Sequence, residues 1–466
     1  MQRRCLLSLV VAGAVVAALA VQPVMAQENP VSLDPNKGTR DGSPVDHLPP
    51  HIRLLDIKLP DGGKPMRPDW SPDGRRLVLL DAPIGDVWEH KLGTRTTRNL
   101  TEKFLPGGVL RAHHLTNGDI VLCAPAERSA EDPEGDRFRG QLWVLQRPLG
   151  KRPPVALGED CWEGVAVSRQ PGSTRIAWNQ STINFSEFPN VFVEALVGES
   201  RVLTGRVVYG SDGVPKIADR TVVLDKRDVS PDTPAVEAQD FRTLDDGDAD
   251  PDDELIFTAY FHKGGHAMGL NLDTGAITDY APTSPYYEEA EGIYPSGRYV
   301  LVERDLTITL FPGMLDIWRL PLDGSGAFER LTTFDYYRGY GANNPVVSPD
   351  GTLMAFSLKV EGEEGEGDGI LLMDLTAPAA GTSDPEDAEP REDDASDSAT
   401  GAGAPALPAT GSRIPVPAAA VLVALGLWLA HFAGRSNGPG HRGGVSVRSR
   451  RGGSSTGATD RTGHRT

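Results

Sequence analysis

Residues 70–79 read WSPDGRRLVL, and residues 347–356 read VSPDGTLMAF. In both stretches an Asp-Gly pair supplies a tight turn, and the apolar run after it is typical of a buried β-strand. Weaker copies of this unit occur at residues 115–122, 169–178 and 294–301, and a copy starting at Asp246 is stretched by extra acidic residues. The sequence therefore predicts one turn-and-strand unit repeated six times.

The spacing of the copies, about 50 residues, fits the period of a β-propeller. A third strand is predicted after each copy, at residues 86–88, 141–145, 190–193, 269–272, 316–320 and 369–373. Short blade-end strands are predicted at 98–101, 201–204 and 329–332, and the longest gap predicts an inserted hairpin near 206–228. The last unit lacks a final strand of its own, so we expect residues 52–57 to close the ring. The predicted fold is all-β: a six-bladed β-propeller over residues 45–376, with four-stranded antiparallel blades.

Ser-Pro-Asp-Gly before an apolar strand, a Trp-bearing strand and Leu-Thr at the blade end resemble the repeat of TolB-type six-bladed propellers, also called WD40-like propeller repeats. The resemblance covers residues 45–376 and is most specific at 70–79 and 343–356. It implies an exported propeller of a kind that mostly binds other macromolecules. It does not imply one activity, because propellers include both binding modules and enzymes.

The N-terminus predicts export. Arg3 and Arg4 precede an apolar run, and small residues lead to Ala26. This arrangement is typical of a signal peptide over residues 1–26, with a retained membrane anchor as the alternative. Export leaves Cys123 and Cys161 in an oxidising compartment. The sequence leaves open whether they form a disulfide or remain two buried thiols.

The C-terminus predicts a tether. Residues 377–413 form an acidic Pro/Ala/Gly-rich linker that has little to bury and is expected to be disordered. An apolar run at 414–434 is long enough to be a transmembrane helix. The Arg-rich tail at 435–466 is expected to be cytoplasmic. LPATG lies near the end of the linker and is followed by the apolar run and the Arg-rich tail. This order of segments resembles a cell-wall sorting signal of the LPxTG class, which would be cut between Thr410 and Gly411. A plain single-span anchor is the alternative, because this tail is longer than such signals usually carry.

Candidate binding residues follow from propeller geometry. The residue at the start of each innermost strand is expected to face the axial channel, which places a ring just before the six turns. Its members are Asp69, His114, Glu163, Asp240, Glu291 and Asn343. Four of the six are acidic, which favours a cationic ligand, a basic peptide or a metal over a phosphate. The alternative is that these residues only solvate a water-filled channel.

A cation site is a second candidate. Asp246, Asp248, Asp250 and Asp252 place carboxylates at alternating positions, which suits calcium. Pro251 stands where an EF-hand-like loop would need Gly, so a solvated acidic turn is the alternative. His113, His114, His262 and His266 show no metal-type spacing, and no catalytic residue can be assigned.

The formal net charge of −19 argues against nucleic acid as a partner. Two function classes remain. The first is a non-enzymatic, envelope-anchored propeller, expected to be monomeric, that binds an envelope protein or glycan on the periplasmic or cell-surface side. The alternative is a propeller hydrolase or lyase that uses the axial channel, with calcium as a candidate cofactor.

Overall fold

The computed structural model describes residues 32–377, except residues 106, 128–135, 137–138, 183–197, 231–232, 234, 245–251, 261, 263–264, 308–312 and 362–366. Within these residues, the strands form six antiparallel sheets of four strands each. The signal peptide predicted at 1–26 and everything predicted beyond residue 377, including Thr410 and Gly411, lie outside the described residues.

The strands follow the predicted repeat. The closing strand is β1 (Ile52–Leu54). Blade 1 contains β2 (Met66–Trp70), β3 (Arg76–Leu80), β4 (Val87–Lys91) and β5 (Thr96–Asn99), and blade 2 contains β6 (Arg111–His114), β7 (Ile120–Pro125), β8 (Gly140–Leu145) and β9 (Val155–Cys161). Blade 3 contains β10 (Val165–Val167), β11 (Arg175–Ser181), β12 (Ser200–Tyr209) and β13 (Pro215–Asp225), which is followed by the short helix α1 (Lys226–Val229).

The second half continues in the same order. Blade 4 contains β14 (Ala235–Arg242), β15 (Glu254–Tyr260), β16 (His266–Asn271) and β17 (Ile277–Asp279). Blade 5 contains β18 (Tyr287–Ile293), β19 (Tyr299–Asp305), β20 (Asp316–Pro321) and β21 (Glu329–Arg330). Blade 6 contains β22 (Tyr340–Val347), β23 (Leu353–Val360) and β24 (Ile370–Asp374).

The ring closes as expected from the sequence. Strand β1 pairs antiparallel with β24, with Ile52 opposite Met373 and Leu54 opposite Leu371. It supplies the fourth strand of blade 6, so the first and last parts of the propeller share one sheet. This confirms the closing role predicted for residues 52–57, of which 52–54 are β-strand.

The core lies between neighbouring blades. The second strands are buried on both faces because each blade stacks against the next one; Leu77, Val78, Leu79 and Leu80 on β3 are all fully buried. The turns between the first and second strands also contact one another around the ring. Thr116 Oγ1 donates to the carbonyl of Ser173, at 2.5 Å. Gln170 Nε2 donates to Thr243 Oγ1, at 2.9 Å.

Blade 3 differs from the prediction. Residues 201–204, expected to be a blade-end strand, belong to the third strand, β12, and the fourth strand is β13. The predicted third strand at 190–193 lies outside the described residues. Because β12 and β13 are unusually long, the extra residues near 206–228 extend the blade's own outer hairpin instead of forming an insertion. A short Arg-x-Leu-Thr motif therefore did not mark the strand position in this blade.

A disulfide joins Cys123 and Cys161, whose Cα atoms are 6.0 Å apart. The two cysteines lie on β7 and β9, so the bond passes over the intervening strand β8 at Gly140. A Cβ on Gly140 would lie 2.7 Å from Cys123 Sγ and 2.9 Å from Cys161 Sγ. The absence of a side chain at Gly140 therefore gives the disulfide its space, and the choice left open by the sequence is resolved.

Residues 32–47 pack against blades 5 and 6. Lys37 Nζ donates to Asp305 and, at 2.8 Å, to the carbonyl of Met314. Arg330 forms ion pairs with Asp34, Asp316 and Asp335. The described body thus extends upstream of residue 45. Within the described residues no helix is long and apolar enough to cross a membrane.

Candidate functional site: the axial channel

The innermost strands are irregular at the channel. Four of them, β2, β14, β18 and β22, contain a β-bulge or register irregularity. Such irregularities redirect side chains and are common beside functional sites. Arg67 and Asn344, at two of these positions, have φ values of 51° and 48°. The irregularities therefore change which polar side chains of these strands face the axial channel.

The six residues predicted from the sequence lie on or beside the innermost strands, but most lie nearer the turn than the strand start. Asp69 is the fourth residue of β2 and His114 is the last residue of β6. Glu163 precedes β10, while Asp240, Glu291 and Asn343 belong to β14, β18 and β22. Asp69 contacts His114, but Glu163 pairs elsewhere. The structure therefore does not unite all six into one cluster, and a ligand-binding role for them stays a prediction.

Asp69 is a hub for three basic side chains. Its carboxylate accepts the backbone N–H of His114 at 2.8 Å and a guanidinium N–H of Arg169 at 2.6 Å. The rings of His113 and His114 lie 3.4 and 3.2 Å from it. Burial opposes ionisation, but Arg169 and the histidine hydrogen bonds outweigh it and hold the pKa of Asp69 well below its usual range. Asp69 is therefore an anion whose partners come from blades 2 and 3.

The sequence prediction missed the arginines of the channel. Arg67 Nη2 donates to Glu163 Oε1 at 2.7 Å, and Nη1 donates to the carbonyl of Leu110 at 2.7 Å. Arg111 Nη2 lies 3.6 Å from the same Glu163 oxygen. Alternation along the strand could not have identified Arg67, because the register of β2 shifts between Met66 and Asp69 and Arg67 has a positive φ. We call Arg67, Arg111, Arg169, Glu163 and Asp69 the paired wall.

Blades 4 and 5 provide a different surface. The hydroxyl of Tyr260 contacts Glu237, and it lies 2.6 Å from Glu289 Oε1. The hydroxyl of Tyr287 contacts the other oxygen of Glu289. Burial, with the negative charges of Glu289 and Glu163, raises the pKa of Glu237 well above its usual value. We call Glu237, Tyr260, Glu289 and Tyr287 the carboxyl wall.

Asp240 lies beside the carboxyl wall on β14. Its carboxylate accepts the backbone N–H groups of Phe241, at 2.9 Å, and Ile293, at 3.4 Å. Burial raises the pKa of Asp240 to about 7, although Arg169 and these hydrogen bonds act in the opposite direction. Asp240 therefore changes charge near neutral pH, whereas Asp69 does so only in strong acid.

A cavity of about 40 Å³ lies between arginines of the paired wall and Asp240. Its lining includes Arg111, Arg169, Asp240, Glu291 and Asn344. That volume holds about three water-sized groups. Gln239 Nε2 and Asn344 Oδ1 also belong to lining residues, and both are buried polar atoms without a hydrogen-bond partner within the described residues. This cavity can thus accept a small polar group.

The predicted calcium site falls mostly on residues that the structure does not describe, because Asp246, Asp248 and Asp250 lie within 245–251. Asp252 is buried; Ser173 Oγ donates to its carboxylate at 3.3 Å, and Arg175 donates to its backbone carbonyl at 3.0 Å. Over the described ranges, no group of three or more His, Cys, Asp or Glu residues is arranged to hold a metal ion. Calcium binding by this turn stays a prediction.

The histidines of blade 4 have structural partners. His266 Nδ1 lies 3.1 Å from Asp279, and Nε2 donates to the backbone carbonyl of Ser284 at 3.0 Å. The hydroxyl of Ser284 contacts Glu288 instead of the imidazole. A serine nucleophile needs its hydroxyl hydrogen-bonded to the base. Ser284, His266 and Asp279 are therefore close neighbours without the geometry of a catalytic triad.

Comparisons with known proteins give distant structural matches. No protein-family model and no curated protein matches the chain. The solved structure of TolB from Acinetobacter baumannii matches with a TM-score of 0.38 and 10% identity, over 69% of this chain and 65% of that one. A gluconolactonase from Xanthomonas campestris matches with a TM-score of 0.43 and 12% identity, over 69% and 88% of the chains.

An oligogalacturonate lyase from Vibrio parahaemolyticus gives a TM-score of 0.39 and 11% identity, over 70% of this chain and 93% of that one. Scores this low carry no argument about activity. The assignment of the fold instead rests on the six four-stranded antiparallel sheets and on the pairing of β1 with β24. The chain is a six-bladed β-propeller.

Proposed function

We propose that this protein is an exported, envelope-anchored propeller that binds an envelope protein or glycan without catalysing a reaction on it. The observation that carries this proposal is the two-sided channel. The paired wall places arginines against carboxylates, whereas the carboxyl wall links Glu237 and Glu289 through tyrosine hydroxyls.

The two walls favour a partner with a cationic group. Arg67 and Arg169 are each within 2.7 Å of a carboxylate, so two of the three arginines of the paired wall already pair with an anion. The carboxyl wall contains the buried Glu237 and the half-buried Glu289, and Glu237 Oε1 has no hydrogen-bond partner within the described residues. A cationic group of the partner would gain charge-assisted hydrogen bonds at this wall.

The location is part of the same proposal and is supported by the sequence. The signal peptide at 1–26, the linker at 377–413, the transmembrane helix at 414–434 and the cytoplasmic tail at 435–466 would place the propeller on the periplasmic or cell-surface side. The disulfide between Cys123 and Cys161 is consistent with an oxidising compartment.

Mass spectrometry of the mature protein tests the anchoring. A C-terminus at Thr410 would establish sorting, and an intact tail would establish a plain anchor. Recovery of the intact chain, with its first 26 residues, from the soluble cytoplasmic fraction would contradict both.

Partner binding is tested by cross-linking the full-length chain in its own envelope and identifying the captured molecules. The E237Q/E289Q variant replaces both carboxyl groups of the carboxyl wall by amides while keeping the side-chain shapes. We expect the same partner to be captured by wild type and by E329Q, whose altered carboxylate pairs with Arg319 away from the channel. Capture should fall at least tenfold with E237Q/E289Q. Equal capture by all three proteins would contradict a role for this wall.

A further inference from the structure

The carboxyl wall contains more hydrogen-bonded contacts than its two phenols can supply with protons. Tyr260 contacts both Glu237 and Glu289, and Tyr287 contacts Glu289, which makes three oxygen–oxygen contacts. Each phenol carries a single proton, and an ionised carboxylate can only accept. The third contact therefore requires a proton on one of the two carboxyl groups.

The cation nearest to Glu237 in the electrostatics of the described residues, Arg111, is shared with Glu163. The groups that face Glu237 are Glu163 and Arg111, in addition to Tyr260 and Glu289. Arg111 lies 3.6 Å from Glu163, which also accepts a hydrogen bond from Arg67. On the other side, Glu303 adds a further negative charge near Tyr287.

The position of Glu237 makes ionisation costly. Its side chain is 3% exposed, and Oε1 has no hydrogen-bond partner among the described residues. That oxygen would lie only 2.9 Å from a Cβ placed on Gly164, a residue that lines the channel cavity. An isolated carboxylate in such a place carries a large desolvation cost, which favours the neutral acid.

We propose that Glu237, Tyr260 and Glu289 form a proton-binding site, and that its single shared proton joins blade 4 to blade 5 at the channel. Glu237 and Tyr260 belong to blade 4, and Glu289 belongs to blade 5, so the proton holds a contact between blades. Loss of the proton places two carboxylates against one hydroxyl and weakens this joint. This inference goes beyond the proposed function, and its test requires no partner.

Infrared spectroscopy of the full-length protein detects the proton directly, through the carbonyl-stretch band of a protonated carboxylic acid. Burial also raises the pKa of Asp240 to about 7 and that of Asp335 to about 9, so these acids contribute bands of their own and the spectra are compared as differences in the D240N background. We expect the D240N spectrum at neutral pH to contain a component that is lost when E237Q or E289Q is added. Each amide can donate to Tyr260 while Tyr260 donates to the remaining carboxylate, so both variants retain the three contacts and should fold.

E329Q, on the outer edge of blade 5, is the matched control and should retain the band. Melting provides a second readout. As the pH rises above the unfolded value of about 4.3, the Tm of D240N should fall by about 2–4 °C more than that of D240N/E237Q, because the raised pKa of Glu237 means that its contribution is lost with rising pH. A D240N spectrum that is unchanged by both E237Q and E289Q would overturn the proposal. So would a D240N spectrum without any band of a protonated acid at neutral pH.

Discussion

The two walls of the channel handle buried charge in different ways. On the paired wall, Arg67 neutralises Glu163 and Arg169 neutralises Asp69, across blades 1, 2 and 3. On the carboxyl wall, tyrosines bridge Glu237 and Glu289, and Asp240 nearby has a pKa of about 7. The paired wall thus holds the buried acid Asp69 as an anion, whereas the carboxyl wall raises the pKa of the buried acid Glu237.

The difference follows from which neighbours each innermost strand supplies. Strands β2 and β6 contribute Arg67 and Arg111, whereas β14 and β18 contribute only acidic and amide side chains at the corresponding part of the channel. A buried carboxylate keeps its charge if a cation is within hydrogen-bond reach and otherwise binds a proton. The walls should therefore respond differently to mutation and to pH.

The largest expected effect is the loss of Arg67. R67M removes the guanidinium that donates to the buried Glu163 and also removes the hydrogen bond to the carbonyl of Leu110. Breaking a buried pair from one side costs about 3–5 kcal/mol. Chemical denaturation should show this loss in the free energy of unfolding. The matched control is R206M, which removes an exposed pair with Asp219 and should cost at most about 1 kcal/mol.

Adding E163Q to R67M distinguishes lost pairing from lost packing. If the buried charge of Glu163 causes the loss, the double variant should be more stable than R67M alone. A double variant that is less stable than R67M would show that the paired wall depends on side-chain packing instead of charge compensation.

The pH dependence of stability should have opposite signs on the two walls. Asp240 has a raised pKa, so its contribution is complete below the unfolded value of about 4 and is lost as the pH rises towards about 7. Asp69 has a lowered pKa, so its contribution is present above about pH 4 and is lost as the pH falls through its folded value.

Denaturation at several pH values tests these signs. D240N should flatten the decline between about pH 4 and pH 7, which for one group reaches at most about 1.4 kcal/mol per pH unit. D69N should reduce the loss of stability in acid, and it should also weaken the decline near neutrality because the negative charge of Asp69 helps to raise the pKa of Asp240. The same slope in wild type and D240N would contradict the assignment of Asp240.

The sequence predicted the fold well because the propeller depends on local signals. The glycine-containing turns, of which two are Asp-Gly, and the apolar strands after them locate five of the six first turns within the described residues, and the unpaired last blade predicts the role of β1. The prediction for blade 3 was wrong because its outer hairpin consists of long strands that the short Arg-x-Leu-Thr motif does not encode.

The site was only partly predictable, for a physical reason. The sequence places Asp69 and Asp240 on innermost strands, but not the bulges that shift the neighbouring positions. The low pKa of Asp69 depends on Arg169, which comes from the turn of blade 3. The pKa of Asp240 is raised by burial. Contacts between blades are distant in sequence, so no local pattern in the chain contains them.

A smaller effect is expected from Y260F on the carboxyl wall. This change removes one hydroxyl and leaves Glu237 and Glu289 without their shared bridge, which should cost about 1–3 kcal/mol in the free energy of unfolding. The loss should be greater at pH 8 than at pH 5, because protonated acids tolerate burial better. Y286F, in the loop before β18, is the matched control. An equal loss for Y260F at both pH values would show that the hydroxyl acts through packing alone.

The smallest effects concern the two amides of the cavity, and they test backbone geometry. Gln239 Nε2 and Asn344 Oδ1 are both buried without a hydrogen-bond partner among the described residues. Replacing an unsatisfied amide by an apolar side chain of similar size is nearly neutral or stabilising, so Q239L should change the free energy of unfolding by less than about 1 kcal/mol.

N344L should be less favourable by about 1 kcal/mol, because the φ of 48° at Asn344 suits Asn better than Leu. Thermal melting of the two variants side by side measures the difference. Equal Tm values would mean that the bulge of β22 relaxes, and that the position of Asn344 in the channel is not fixed by its backbone.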